Sequence, residues 1–181
     1  MQSTSTQTYP GIIKLLHWAI GLTVISMLSF GFFLESLPKS MQGLAFMLHK
    51  STGLTILFMS LIWIILIHTT IKPRLPESVP LWQKVLARLV QYSLLILLLA
   101  MPLVGWIMSM AAGRVPVYFG LFQAKLPFVM PDENLAKLMN ATHTVLAWIF
   151  IALISIHTLA ALKHHFIDKD NILKRMLPGR G

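Results

Sequence analysis

The chain has no cysteine among its 181 residues. That excludes disulfides, thiolate-bound iron–sulfur clusters, thiolate-ligated haem and covalent haem attachment through Cys-x-x-Cys-His. Negative charge is nearly as scarce: Asp and Glu number six, against fifteen Lys and Arg. None of the six falls within a long apolar block. A membrane carrier of divalent metal ions wants carboxylates there, so their absence argues against one. No patch interleaves basic and aromatic residues, so the net charge of +9 does not indicate nucleic acid. The start also lacks a basic n-region and an Ala-x-Ala-type cleavage site, although Lys14 precedes an apolar run. That run is read as a retained first helix rather than a signal peptide.

What the chain has in bulk is apolar sequence. It is 56% hydrophobic and 12% charged, with a mean hydropathy of +0.72. The apolar residues form four blocks, each long enough to cross a hydrocarbon layer of about 30 Å. Spans are expected at about 11–34, 41–69, 81–112 and 135–165. A connector containing Pro73, Pro76 and Pro80 separates the second from the third, and Pro102 with Gly105 should kink the third. An outer loop is expected at 113–134, followed by Asp132, Glu133 and Asn134 as helix-starting residues, and a basic tail at 166–181. The reading is a single domain over 1–181, an all-α membrane protein built as a four-transmembrane-helix bundle.

Lys and Arg orient it. The side holding both termini carries Lys14, Lys72, Arg74, Lys84, Arg88, Lys163, Lys169, Lys174, Arg175 and Arg180. The other carries Lys39, Lys50, Arg114, Lys125 and Lys137. Ten against five puts both termini in the cytoplasm.

Histidines then pair by depth. His143 and His157 lie fourteen residues apart on the fourth block, about 21 Å and nearly four turns, so both project from one stripe. His17 matches the depth of His157, and His49 that of His143. Polar rings at matched depths in hydrocarbon need partners. Bis-histidine axial ligation would hold two stacked low-spin haems b enclosed by the bundle, a closed coordination suited to electron transfer. Gly21, Gly53, Ala141 and Ala147 could leave room for a porphyrin. His68, His164 and His165 read as solvated interface residues, and Trp63, Trp82, Trp106 and Trp148 as anchoring and packing residues. Lys50, next to His49, suits a propionate. With Arg114 and the other outer cations it could instead draw in a small anion.

The His17-Trp18 pair, His49 followed by Gly53, and His143 with His157 resemble the prokaryotic four-helix cytochrome b561 family. So do Gly113-Arg114-x-Pro116 with Tyr118-Phe119-Gly120, and the ending from His157 through Lys163-His164-His165 and Asp170-Asn171 to Met176-Leu177-Pro178. The resemblance covers nearly the whole chain. It implies two haems b on His17, His49, His143 and His157, electron exchange with ubiquinone, and for some members oxidation of superoxide at the outer surface. Trp18, Tyr92 and His164 are candidate quinone contacts. The rival expectation is a relay subunit that anchors a partner dehydrogenase and passes its electrons to quinone.

Overall fold

The structure is a computed structural model and describes residues 8–71, 73 and 79–179. Lys72, Arg74 and Arg180 of the charge count lie outside them. Four long helices account for most of it: α1 (Gly11–Gly31), α2 (Lys39–Thr69), α3 (Leu81–Ala111) and α4 (Glu133–Phe166). All four are long and apolar enough to span a bilayer, and the chain is a multi-pass membrane protein. Short 3-10 turns at Leu34–Ser36 and Leu173–Arg175 follow α1 and α4.

Local chemistry sets the starts. Pro10, Pro38 and Pro80 stand immediately before α1, α2 and α3, where a fixed φ and a missing N–H cost nothing. α4 starts differently: the Asp132 carboxylate accepts from Leu135 N at 3.0 Å, and Glu133 opens the first turn. α3 continues unbroken through Pro102. Hydroxyls within the helices turn back to the carbonyl four residues earlier, as Thr23, Ser26, Ser29, Thr55, Thr142, Thr144 and Ser155 all do. In lipid that is the nearest available acceptor.

The helices alternate in direction. α1 packs beside α2, α2 beside α3 and α3 beside α4. A buried cluster of Ile20, Val24, Ile56, Leu97 and Phe150 draws on all four. α4 lies closely along α3 but makes no comparable backbone approach to α1 or α2; side chains bridge that gap.

Each end of the bundle is finished by folded chain. On the side away from the termini, the expected loop contains a small hairpin, β1 (Val117–Tyr118) paired antiparallel with β2 (Phe122–Gln123). Its turn places Phe119 and Gly120 at φ 46° and 79°, the left-handed pair of a type I′ turn, in which Gly is unstrained. The hairpin is pinned to α2. Ser51 Oγ donates to Val117 O at 3.2 Å and accepts from Phe119 N at 2.8 Å, and Thr55 Oγ1 meets the Tyr118 hydroxyl at 3.1 Å.

On the terminal side, the tail folds back over the helix ends. Trp18 Nε1 donates to Met176 O at 2.7 Å, and Tyr9 N to Arg175 O at 3.3 Å. Burial pushes the Tyr9 phenol above its ordinary pKa, with the Arg175 charge opposing.

Ser51 is fully buried and holds the hairpin through two bonds. Ser51→Ala leaves a buried carbonyl and a backbone N–H unanswered and should destabilise the detergent-solubilised protein by about 1–3 kcal/mol. Thermal melts should record the loss, with the helical signal unchanged before the transition.

Candidate functional site

Two layers of histidine sit in the gap between α4 and the first two helices. In the terminal-side layer, His17 extends from the second turn of α1 and His157 from the last third of α4. Their ring centroids are 6.2 Å apart and their planes inclined by 54°. Two imidazoles that ligate one metal ion from opposite sides stand about 6 Å apart, from two metal–N bonds of about 2 Å and about 1 Å from each nitrogen to its ring centre. Trp18 stands edge-on to His17 at 5.5 Å, and Trp63 of α2 lies 6.4 Å from the same ring.

In the loop-side layer, His49 of α2 and His143 of α4 face one apolar cavity, also lined by Val24, Met27, Gly53 and Met101. They are close enough to interact electrostatically. Two glycines make room for these rings. A Cβ on Gly105 would lie 3.0 Å from His143 Cε1 and 3.3 Å from Nδ1, and one on Gly31 would lie 3.5 Å from His49 Cε1. The Nδ1–Cε1 edge of His143 thus rests on the α3 backbone, and Nε2 is turned away from it. The Met101 carbonyl interacts with the same ring, although no hydrogen bond to Nδ1 closes at ordinary geometry. Nδ1 of His17, of His49 and of His143 is buried without a hydrogen-bond partner.

Cations gather above the loop-side layer. Lys50 is half-buried beside His49 and lies within electrostatic reach of Arg114. Arg114 is held there by the end of α3: Gly113 takes φ 70°, Arg114 N donates to Ser109 O, and Ser109 Oγ donates back to Arg114 O. Two positive side chains at one mouth repel, and both favour an anion. Lys137, by contrast, pairs with Glu133 at 2.6 Å in full exposure, a contact of small energetic weight.

A family model described as prokaryotic cytochrome b561 matches residues 8–179. The chain belongs to the prokaryotic cytochrome b561 family. It is 34% identical to cytochrome b561 homolog 2 of Escherichia coli K12, over 98% of this chain and 95% of that one. It is 32% identical to cytochrome b561 homolog 1 of the same organism, over 91% and 94%. It is 30% identical to the probable superoxide oxidase CybB of Yersinia pestis, over 90% and 92%. Membership makes this a membrane electron-transfer protein of oxidoreductase type that binds b-type haem. The residues present fit such a group. The His17 and His157 rings at metal-bridging distance, the His49 and His143 rings on one apolar cavity and the glycines that make room for those two rings suit ligation of such a group.

The structure departs from the sequence reading at several residues. His164 is not simply solvated: the returning tail brings Asp170 to 2.7 Å and Asp168 to 3.2 Å from its Nδ1, and Lys163 also pairs with Asp168. His165 has a sealed, unpartnered Nδ1. Trp18 spends its N–H on the tail and Tyr92 is exposed on α3, whereas His68 is exposed in keeping with the solvated reading, its Nδ1 on the Ile64 carbonyl. Gly53 lines the loop-side cavity as expected of a space-maker. Gly31 and Gly105 were missed in that role, because a glycine in a helix carries no mark of which neighbour approaches it. The spacing of Gly105 from Pro102 suggested a kink and concealed the contact.

Gly105→Val should push His143 out of place and lower the haem content of the purified protein, read as a pyridine haemochrome. Gly43→Ala, where no atom lies within 4 Å of the added Cβ, should leave the haem content unchanged.

Proposed function

We propose that this protein is a di-haem b oxidoreductase that moves single electrons across the bacterial inner membrane, oxidising superoxide on the outer side and reducing ubiquinone. The observation that carries the reading is the pairing of His17 with His157 at 6.2 Å, repeated in kind by His49 and His143 on one cavity. His17, His49, His143 and His157 are the axial ligands in this reading, and α4 serves both sites. When bound, the haem would supply reversible one-electron exchange.

The chain's own residues do the rest. Lys50 and Arg114 hold positive charge at the loop-side mouth, where they attract an anion or brace a propionate. The relative named as a probable superoxide oxidase supports superoxide as that anion. Each superoxide gives up one electron and leaves as oxygen. Two such electrons with two protons convert one ubiquinone to ubiquinol. On the terminal side, an open cleft of about 660 Å³ lined by Tyr9, Lys14, Leu15, Trp18 and Pro178 supports a place for the quinone head, within the usual size of small-molecule sites. The orientation, termini inward, rests on the excess of Lys and Arg on that side.

The purified protein should carry about two haems b per chain, and His157→Ala should lose the terminal-side one. Superoxide generated in the cuvette should reduce the bound haem. In the double variant Lys50→Gln, Arg114→Gln that reduction should slow about ten-fold at low salt and lose most of its salt dependence. Haem that superoxide leaves oxidised, in a protein that co-purifies with a dehydrogenase able to reduce it, would make this an electron-relay subunit instead.

A further inference from the structure

We propose that Trp63, supported by Ser60 one turn away, is a cofactor contact: its indole N–H donates to a carboxylate of the group clasped between His17 and His157. The inference rests on the haem reading of that site.

Indole N–H groups in this protein otherwise find acceptors when they turn inward. Trp18 Nε1 donates to Met176 O at 2.7 Å and Trp106 Nε1 to Ala124 O at 2.9 Å. Trp82 and Trp148 are exposed on the lipid-facing surface. Trp63 differs from all four. Its ring packs against the central apolar cluster and lies 6.4 Å from the His17 ring, while its Nε1 is sealed from solvent without a partner. A buried indole N–H ordinarily has an acceptor.

Ser60 repeats the exception. Eight other helical hydroxyls among the described residues turn back to the carbonyl four residues earlier. Ser60 is fully buried, and its Oγ has no partner. Three residues apart on α2, the two side chains share a face. α2 thus presents two unspent donors to the same interior in which α1 and α4 present His17 and His157.

The chemistry of the occupant follows. Haem b is apolar except for two carboxylates, and a carboxylate in an apolar layer is tolerated only where donors meet it. A hydrogen bond that draws charge from the carboxylate weakens its stabilisation of the oxidised, more positive iron. Removing the donor should therefore lower the midpoint potential of that haem alone.

The test uses the purified full-length holoprotein. Trp63→Phe keeps the ring and deletes the N–H; Ser60→Ala deletes the hydroxyl with little change in packing. Each is titrated spectroelectrochemically, with His157→Ala identifying which transition belongs to the terminal-side haem. The expected result is a downward shift of that transition in Trp63→Phe and a smaller one in Ser60→Ala, the other transition staying in place. The propionate bending band in resonance Raman spectra should move in Trp63→Phe as well. If Trp63→Phe folds poorly, the Ser60→Ala titration and Raman band decide alone. Unshifted potentials and an unmoved band in a folded variant overturn the contact and leave the di-haem reading standing. A wild-type protein without haem overturns the di-haem reading itself.

Discussion

A nitrogen lone pair inside hydrocarbon has to be answered from within the protein, and in this molecule that requirement falls on the space between α4 and the first two helices. α4 leans on α3 and holds back from α1 and α2. Across the gap reach imidazoles rather than backbones. Close helix packing would have excluded any planar group; wide separation would have let in lipid. The bundle avoids both by letting glycine bring one wall up to a ring at Gly105 while the opposite wall stays a ring's length away.

The two ends of the gap are closed by different means. At the loop side, a hairpin with a left-handed turn is held to α2 by Ser51 and Thr55, which fixes the backbone beside Lys50 and Arg114. At the terminal side, the tail closes over α1 through Trp18, and His164 with Asp168 and Asp170 stiffens its return. Lys50 and Arg114 thus stand together at the loop-side mouth, while Lys163 and His164 are paired with Asp168 and Asp170 at the other end.

Four spans and the pairing of histidines by depth were legible in the sequence, because hydrocarbon thickness fixes helix length and a rise of about 1.5 Å per residue converts sequence distance into depth. The helix limits fell within a few residues of those expected, with prolines marking three starts and Asp132 the fourth. Lateral information was harder to read. Nothing about Gly105 in the sequence says that it faces His143, nor about Trp63 that its N–H turns inward while Trp148 faces lipid. The tail was identifiable by its residues but not by its path. Its partners, Tyr9 and Trp18, lie some 160 positions away in the chain, and no local periodicity reports such a contact.

The sharing of α4 has a consequence for biosynthesis. Helices enter the membrane in chain order, so His17 and His49 arrive facing an empty flank, each as half of a pair. Neither pair can exist until the last span has been inserted, and then both become complete together. The tail, which follows directly, folds down over α1 only after that moment. A chain that stops before the fourth helix has His17 and His49 but neither of their partners, His157 and His143.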